Sequence, residues 1–304
     1  MRTRQWWVRL VFVLFSASAG AAEPMRYVYP PPEGGSDQRL VYYWELLEAA
    51  LKVTSGKWGP YTLAISPVLM NADRSQILLS NSTEITLLVR TTSAERERVL
   101  LPVRIPLDKG LTGYRLFLIQ QNTQEALNAV RTLDDLKPYR IGQGVAWVDA
   151  EILRNAGLTV ETGSSYESLF KMLAVGRFEL FSRGVNEIGK EQREHQPKYP
   201  EMVVEKSLML HYPLPRYFFF SRTPQGERLA QRVAEGLEKL RQSGEFDRRY
   251  QGFKRAMLAD LNLSGRRLFR IPNPTLPADT PLADTRLWDD LAQELKATKT
   301  NPAQ

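Results

Sequence analysis

Apolar residues in the first third of the chain recur at spacings that are typical of alternating strands and helices. Met25–Tyr29 alternates and then meets three prolines, so we predict a first strand that ends there. A helix is predicted to run to about Val53, because its apolar residues recur at helical spacing. Its apolar face consists of Leu40, Tyr43, Trp44, Leu47 and Leu51. Tyr61–Ile65 and Ile85–Arg90 are predicted as the next two strands.

Two consecutive strand–loop–helix units are predicted in the middle of the chain. The strands are Tyr139–Gln143 and Leu158–Glu161, and the first helix is expected from about Val148 to Asn155. The second helix is predicted to open at Ser164, three residues before Glu167, which is the spacing of a capping box. Such alternation implies a parallel sheet, and ligands of parallel sheets bind at the carboxyl ends of the strands.

Composition is that of a secreted globular protein. The 304 residues can bury a large core and allow two domains. Residues 1–22 are predicted to be a signal peptide; a membrane anchor is disfavoured because Arg9 leaves the apolar run too short. Loss of Arg2, Arg4 and Arg9 with this segment lowers the formal net charge from +7 to +4. The chain has no cysteine for a lipid anchor, so we expect a free periplasmic protein.

Several classes of function are disfavoured by the sequence. Basic residues are interleaved with acidic ones, so nucleic-acid binding is not expected. His195 and His211 have no partners at metal-ligand spacing, and no nucleophile-elbow motif accompanies them. Gly142 and Gly144 lack the third glycine of a dinucleotide-binding fingerprint. We therefore expect no metal, no cofactor and no enzymatic activity.

Two motifs resemble those of the family-3 periplasmic solute-binding proteins. The sequence DLKPYRIGQGVAW, followed by SYESLFKMLAVGRFELFSRG, is similar to the second lobe of that family. The matching positions are Asp135, Leu136, Gly142, Gly144, Leu169, Leu173, Gly176, Arg177 and Glu179. Earlier in the chain, Ser93-Ala94-Glu95-Arg96 resembles the family's T-x-E-R box, which follows a strand and precedes the crossover to the second lobe.

The resemblance implies an α/β protein with the two-lobe, type II (Venus-flytrap) fold of periplasmic binding proteins. Each lobe would hold a mixed, mainly parallel sheet flanked by helices, and two crossover strands would join the lobes. We interpret Leu111–Ile119 and Tyr217–Ser221 as these crossovers. The first lobe would comprise residues 23–115 and 216–270, and the second lobe residues 116–215.

Residues 271–304 are predicted to form a Pro-rich C-terminal extension with a short helix. The prolines favour an extended segment, and Trp288, Leu291 and Leu295 then give a short apolar stripe. We expect this stripe to dock against the first lobe; contact with a partner protein is the alternative.

The resemblance also implies where a ligand would bind. In the family the arginine of the T-x-E-R box binds the ligand carboxylate, so Arg96 is the expected anchor, and its planar fork of donors suits that role. Ser93 keeps the hydroxyl of the usual threonine, and Thr92 precedes it. The other candidates are Tyr29, Glu33, Arg90, Ser165 and backbone N–H groups near Gly144 and Val145. Arg90 can instead serve a structural ion pair, and Ser165 is first of all a helix cap.

One departure from the family concerns the amine of the ligand. Its amino-acid binders usually place an aspartate shortly after the third strand of this region, where it pairs with the ligand ammonium. Here Gly184 stands near that position, and Arg183 beside an ammonium would be repulsive. Either Glu187 substitutes for the missing aspartate, or the ligand lacks an α-amine and Arg183 binds a second acidic group.

The function that these features predict is that of a periplasmic solute-binding protein. It would be a monomer that captures a small carboxylate-bearing solute, an amino acid or a related acid, for an ABC-type transporter. A hinge motion at the crossovers would close the lobes around the solute, and a membrane permease or sensor would be the protein partner. Two alternatives stay open: a ligand-sensing periplasmic partner of a membrane receptor, and an enzyme of dehydratase type with the same fold.

Overall fold

The computed structural model of the protein describes residues 23–32, 40–70, 72–81 and 84–300. The predicted signal peptide and Glu33 lie outside these residues. The strands, in chain order, are β1 (Met25–Tyr29), β2 (Tyr61–Ile65), β3 (Leu88–Thr91), β4 (Leu100–Val103), β5 (Tyr114–Gln120), β6 (Arg140–Gly144), β7 (Thr159–Gly163), β8 (Leu180–Gly184), β9 (Met202–Val204), β10 (Leu208–His211), β11 (Arg216–Ser221) and β12 (Arg267–Arg270). The α-helices, in chain order, are α1 (Val41–Val53), α2 (Ser55–Trp58), α3 (Ala72–Asn81), α4 (Ala94–Val99), α5 (Gln124–Asn128), α6 (Asp149–Asn155), α7 (Tyr166–Ala174), α8 (Ile188–His195), α9 (Pro224–Gln242), α10 (Glu245–Leu258) and α11 (Leu291–Thr300). None of the helices in these described ranges is both long enough and apolar enough to cross a membrane.

The first lobe is built from two small sheets covered by helices. β1 and β2 pair in parallel, and β11 lies between β3 and β4 with antiparallel pairing on both sides. Helices α1 and α9 pack together over these strands. Three of the predicted apolar positions of α1 are buried, namely Tyr43, Leu47 and Leu51, whereas Trp44 is half-buried. The helix predicted from apolar spacing is therefore confirmed.

The second lobe contains one seven-stranded sheet. Its strand order is β12-β10-β5-β8-β6-β7, with β9 paired to β5. Parallel pairs join β10 to β12 and β6 to both β7 and β8, whereas every antiparallel pair in the described residues involves β5 or β11. These two strands follow the connections between the lobes, so no helical crossover within their own sheet forces them to run parallel. The α/β class with mixed sheets is confirmed, with a larger antiparallel share than predicted.

The predicted strand–loop–helix units correspond to β6, α6, β7 and α7, and only their ends differ. The start of α7 is shifted by one residue. Ser165, not Ser164, is the N-cap: its Oγ accepts the N–H of Ser168 at 3.2 Å, and Ser168 Oγ accepts the N–H of Ser165 at 3.3 Å. Ser168 thus takes the place predicted for Glu167, because the helix begins one residue later.

The connections between the lobes lie beside the predicted crossover strands rather than within them. Residues 104–113 lead from β4 in the first lobe to β5 in the second, and residues 212–215 lead back from β10 to β11. β5 and β11 are each paired on both sides within their own sheet. The interpretation of Leu111–Ile119 and Tyr217–Ser221 as crossovers is therefore corrected.

The C-terminal part of the chain contacts both lobes. β12 pairs with β10 at the edge of the second sheet, although residues 216–270 were expected in the first lobe. The chain then crosses to the first lobe, where the Thr275 carbonyl accepts the N–H of Ala94 at 2.7 Å. It returns to the second lobe, where Leu291 and Ala292 join the core. The apolar stripe thus packs on the second lobe, not on the first as predicted; we call residues 271–292 the C-terminal strap.

Candidate functional site

A cleft of about 250 Å³ lies between the two lobes and is lined by both of them. Its apolar lining comes mainly from the first lobe and includes Tyr29, Pro30, Leu40, Trp44, Ile65 and Met70. Among the described residues, the charged lining consists of five arginines and two carboxylates, namely Arg90, Arg96, Arg115, Arg183, Arg216, Asp149 and Glu187. This surplus of guanidinium groups favours the binding of an anion.

Aromatic rings contribute to both sides of the cleft. Tyr29, at the end of β1, stacks on Trp44 of α1 with ring centroids 4.1 Å apart. From the second lobe, Trp147 lines the cleft in the turn before α6. A Cβ at Gly144 would lie 2.6 Å from the Trp147 ring, so glycine is needed there for the close approach of this ring.

Arg96 lines the first-lobe side of the cleft, near the start of α4. Ser93 is the N-cap of this helix, and its Oγ accepts the N–H of Arg96 at 3.2 Å. Thr92 is fully buried, and its hydroxyl donates to a carboxylate of the same helix at 2.5 Å. The Arg96 guanidinium donates to the Thr91 carbonyl and, through Nε, to Gln76 Oε1 at 3.0 Å. Ser93 and Thr92 therefore position the helix that carries Arg96.

The other residues predicted for the site are dispersed. Arg90 lines the cleft and donates to Ser75 Oγ at 3.1 Å, which links β3 to α3. The N–H of Val145 donates to the Gly163 carbonyl at 3.0 Å, so it cannot complete the predicted anion cage. Ser165 is the exposed cap of α7 and is not part of the cleft lining.

Arg183 lies beneath the surface of the cleft. Its side chain is 2% exposed and pairs with Glu191 at 2.5 Å and with Glu187 at 3.0 Å. The centre of a Trp147 ring lies 4.6 Å from its Cζ. Burial alone would lower the pKa of Arg183, but the carboxylates of Glu187 and Glu191 raise the pKa above its ordinary value. This geometry makes Arg183 a buried support of the cleft and does not favour the predicted contact with a second acidic group of the ligand.

Two arginines that line the cleft were not predicted from the sequence. Arg115 of β5 lies 3.2 Å from Asp149, whose carboxylate also accepts the Tyr212 hydroxyl at 2.6 Å. Arg216, at the start of β11, lies 3.6 Å from Glu187. Each is the single charged residue of an otherwise largely apolar strand, YRLFLIQ or RYFFFS, and a lone charge in such a strand is the signal that could have found them.

A buried hydrogen-bond network links the first-lobe helix α1 to the connection between the lobes. Asp108 accepts the Tyr43 hydroxyl at 3.1 Å, the N–H of Gly110 at 3.2 Å and the Thr112 hydroxyl. Burial raises the pKa of Asp108, although the Arg216 guanidinium opposes this shift. Thr112 lines the cleft, so this network fixes the floor of the cleft relative to α1.

The chemistry that this arrangement supports is anion binding. The two carboxylates of the lining are held by arginines, and no histidine of the described residues lines the cleft. Within the same part of the chain, no group of three or more histidine, cysteine, aspartate or glutamate residues is arranged to hold a metal ion.

No protein-family model and no curated protein sequence matches the chain. Solved structures are similar to it. A Salmonella typhimurium periplasmic binding protein with high arginine specificity is 14% identical, with a TM-score of 0.55 over 75% of this chain and 98% of that chain. A histidine kinase sensor domain with similarity to periplasmic binding proteins is 15% identical, with a TM-score of 0.54 over 76% of this chain and 96% of that chain.

A third structure is an ancestral amino-acid-binding protein that is a precursor of cyclohexadienyl dehydratase. It is 12% identical, with a TM-score of 0.54 over 75% of this chain and 95% of that chain. At such identities the similarity concerns the fold. The resemblance predicted from the sequence is thereby confirmed at that level, and the protein has the two-lobe fold of the periplasmic amino-acid-binding proteins.

Proposed function

We propose that the protein is a periplasmic solute-binding protein that captures a small carboxylate-bearing solute between its lobes for an ABC-type transporter. The observation that carries this proposal is the lining of the cleft, in which five arginines face two carboxylates among the described residues. A guanidinium is always charged and binds a carboxylate through two parallel hydrogen bonds. The net positive charge of the cleft would also attract an anionic solute.

Closure of the lobes would follow from the position of the contacts. A solute in the cleft would touch Arg96 of the first lobe and Trp147 of the second lobe at once. Such a ligand binds the closed form better than the open form and therefore shifts the population toward closure. The closed form would then be the state that a membrane permease recognises.

Ligand sensing for a membrane receptor is the second candidate, because a histidine kinase sensor domain shares the fold. Sensing and transport both use a closed, liganded form and differ in the partner that binds it. Permease genes next to the gene would favour transport, whereas a kinase or cyclase gene would favour sensing.

A dehydratase-type activity has less support. Such a reaction needs a poised acid or base, and Asp149 and Glu187 are both engaged by arginines. A binding protein returns its ligand unchanged. Magnetic resonance spectra of a bound acid after prolonged incubation with the protein would therefore reveal any turnover.

The Arg96→Ala variant tests the proposed anchor. We expect its affinity for carboxylate solutes to fall about hundredfold, because a desolvated carboxylate would lose its charged partner. Arg98→Ala is the matched control, since Arg98 is an exposed arginine of the same helix α4. Isothermal titration calorimetry measures both affinities, and circular dichroism checks that both variants are folded. Unchanged affinity in folded Arg96→Ala would contradict the role of Arg96.

A further inference from the structure

Building on the proposed function, we propose that the solute is an organic acid that lacks an amine and has a flat apolar body, such as an aromatic carboxylate. Three properties of the cleft support this class of ligand. Its carboxylates are engaged by arginines, two of its buried guanidinium nitrogens lack an acceptor in the part of the chain that the structure describes, and aromatic rings line both of its sides.

The first property disfavours an ammonium group on the ligand. Asp149 lies 3.2 Å from Arg115, and Glu187 lies 3.0 Å from Arg183 and 3.6 Å from Arg216. An ammonium that approached either carboxylate would therefore also approach a guanidinium. Like charges repel strongly in a desolvated site, so an α-amine would weaken binding rather than add to it. The suggestion that Glu187 replaces the missing aspartate of amino-acid binders is accordingly disfavoured.

The second property, the two guanidinium nitrogens without an acceptor, favours a carboxylate on the ligand. The Nε atoms of Arg115 and Arg216 are buried, and neither finds an acceptor within the described residues. Buried N–H groups of folded proteins are nearly always bonded, so these two unbonded donors, on arginines that line the cleft, leave hydrogen-bonding capacity for acceptor atoms of a ligand. A ligand carboxylate held by Arg96 would bring such acceptors into the cleft that Arg115 and Arg216 line.

The third property favours a flat apolar body. Tyr29 and Trp44 stack at 4.1 Å and, together with Pro30 and Met70, form an apolar surface on the first lobe. On the second lobe the ring of Trp147, which also lines the cleft, lies over the guanidinium of Arg183 and adds a second aromatic surface. An aromatic ring of a ligand gains both apolar burial and stacking from such surroundings.

Calorimetric titration with three commercially available compounds tests the proposed class. The first pair is 3-phenylpropionate and L-phenylalanine, which differ only by the α-amine. We expect 3-phenylpropionate to bind about a hundredfold more tightly, because the amine adds repulsion by guanidinium groups. The second pair is 3-phenylpropionate and butyrate, which differ in the ring, and here we expect about a tenfold preference for the ring.

A tryptophan variant locates the ring-binding surface. Trp44→Leu removes the stacked ring, and we expect it to lower the affinity for 3-phenylpropionate about tenfold while changing the affinity for butyrate little. Trp58→Leu is the matched control, because Trp58 is a half-buried tryptophan of the same lobe whose indole donates to Glu235 outside the cleft. We expect this control to bind both acids as the wild type does.

The possible outcomes separate the two proposals. L-Phenylalanine that binds as tightly as 3-phenylpropionate, or more tightly, overturns the amine-free class but leaves carboxylate capture intact. If butyrate binds as tightly as 3-phenylpropionate, only the proposal that the ligand has a flat apolar body is overturned. Absence of binding by all three acids, with the wild-type protein shown to be folded, overturns the aromatic carboxylate class. Carboxylate capture itself is contradicted if a wider panel of amine-free acids and amino acids also leaves the melting temperature of the protein unchanged.

Discussion

Acidification should lower the free energy of unfolding, because it protonates a histidine at the place where the C-terminal part of the chain joins the second lobe. His211, the last residue of β10, packs against Tyr114 with ring centroids 4.2 Å apart, and its Nδ1 lies 3.2 Å from Nη1 of Arg270 on the neighbouring strand β12. Burial, followed by the Arg270 guanidinium, lowers the pKa of His211 from 6.5 to about 4, while Asp290 acts in the opposite direction. Protonation of His211 would place a second cation beside Arg270 in a half-buried site.

The magnitude follows from the two pKa values of His211. The unfolded chain takes up the proton near pH 6.5, whereas the folded chain takes it up only near pH 4. The stabilising contribution is therefore complete above pH 6.5 and is lost as the pH falls toward 4. Between pH 7 and pH 5, His211 alone should lower the free energy of unfolding by about 2 kcal/mol.

Urea unfolding of the wild type and of His211→Gln at these two pH values measures this contribution. Glutamine is polar but does not titrate, so we expect the wild type to lose about 2 kcal/mol more than the variant. Subtracting the two losses removes the contribution of every group that the two proteins share. Equal losses in the two proteins would refute the assignment of this pH dependence to His211.

Two further substitutions test the packing that holds the lobes and the strap. Asp289→Asn should lower the free energy of unfolding by about 2 kcal/mol, because Lys254 would lose a buried partner at 2.7 Å and keep only the more exposed Glu294 at 2.6 Å. The control Asp247→Asn, at a surface ion pair on α10, should cost less than about 1 kcal/mol. Gly236→Ala should cost about 1–3 kcal/mol, because its Cβ would lie 2.3 Å from a backbone carbonyl oxygen of α1. Gly252→Ala in α10, whose Cβ would meet no atom of the described residues within 4 Å, should instead stabilise by about 0.5–1 kcal/mol. Urea unfolding measures the free energy of unfolding of all four variants. Equal losses in Asp289→Asn and Asp247→Asn would contradict the role of the Lys254–Asp289 ion pair. Equal effects of Gly236→Ala and Gly252→Ala would contradict the close contact between α9 and α1.

Much of the fold could be predicted from the spacing of apolar residues, because this spacing depends on the type of secondary structure and on which of its faces is buried. The apolar face of α1 and the strand–helix alternation around β6 and β7 follow from side-chain periodicity, which the lobe cores impose. The position of the helix cap at Ser165 was wrong by one residue, because Ser164 and Ser165 are both good caps and the choice depends on the path of the preceding loop.

The candidate site was predicted less completely, because its charges meet only through tertiary structure. Arg115 and Arg216 come from β5 and β11, which are far apart in the sequence, and their partners Asp149 and Glu187 come from other segments again. The docking of Leu291 was also mispredicted, because an apolar stripe specifies that it will be buried but not which surface buries it.

Thermal unfolding of the purified protein with amine-free acids, amino acids and neutral sugars tests the central claim most directly. A ligand at one hundred times its dissociation constant adds about 2.7 kcal/mol to the free energy of unfolding, which gives a clear rise in the melting temperature. We expect this rise with carboxylate-bearing compounds and its loss in Arg96→Ala. Stabilisation by neutral sugars alone, or the same rise in Arg96→Ala as in the wild type, would contradict carboxylate capture in the arginine-lined cleft.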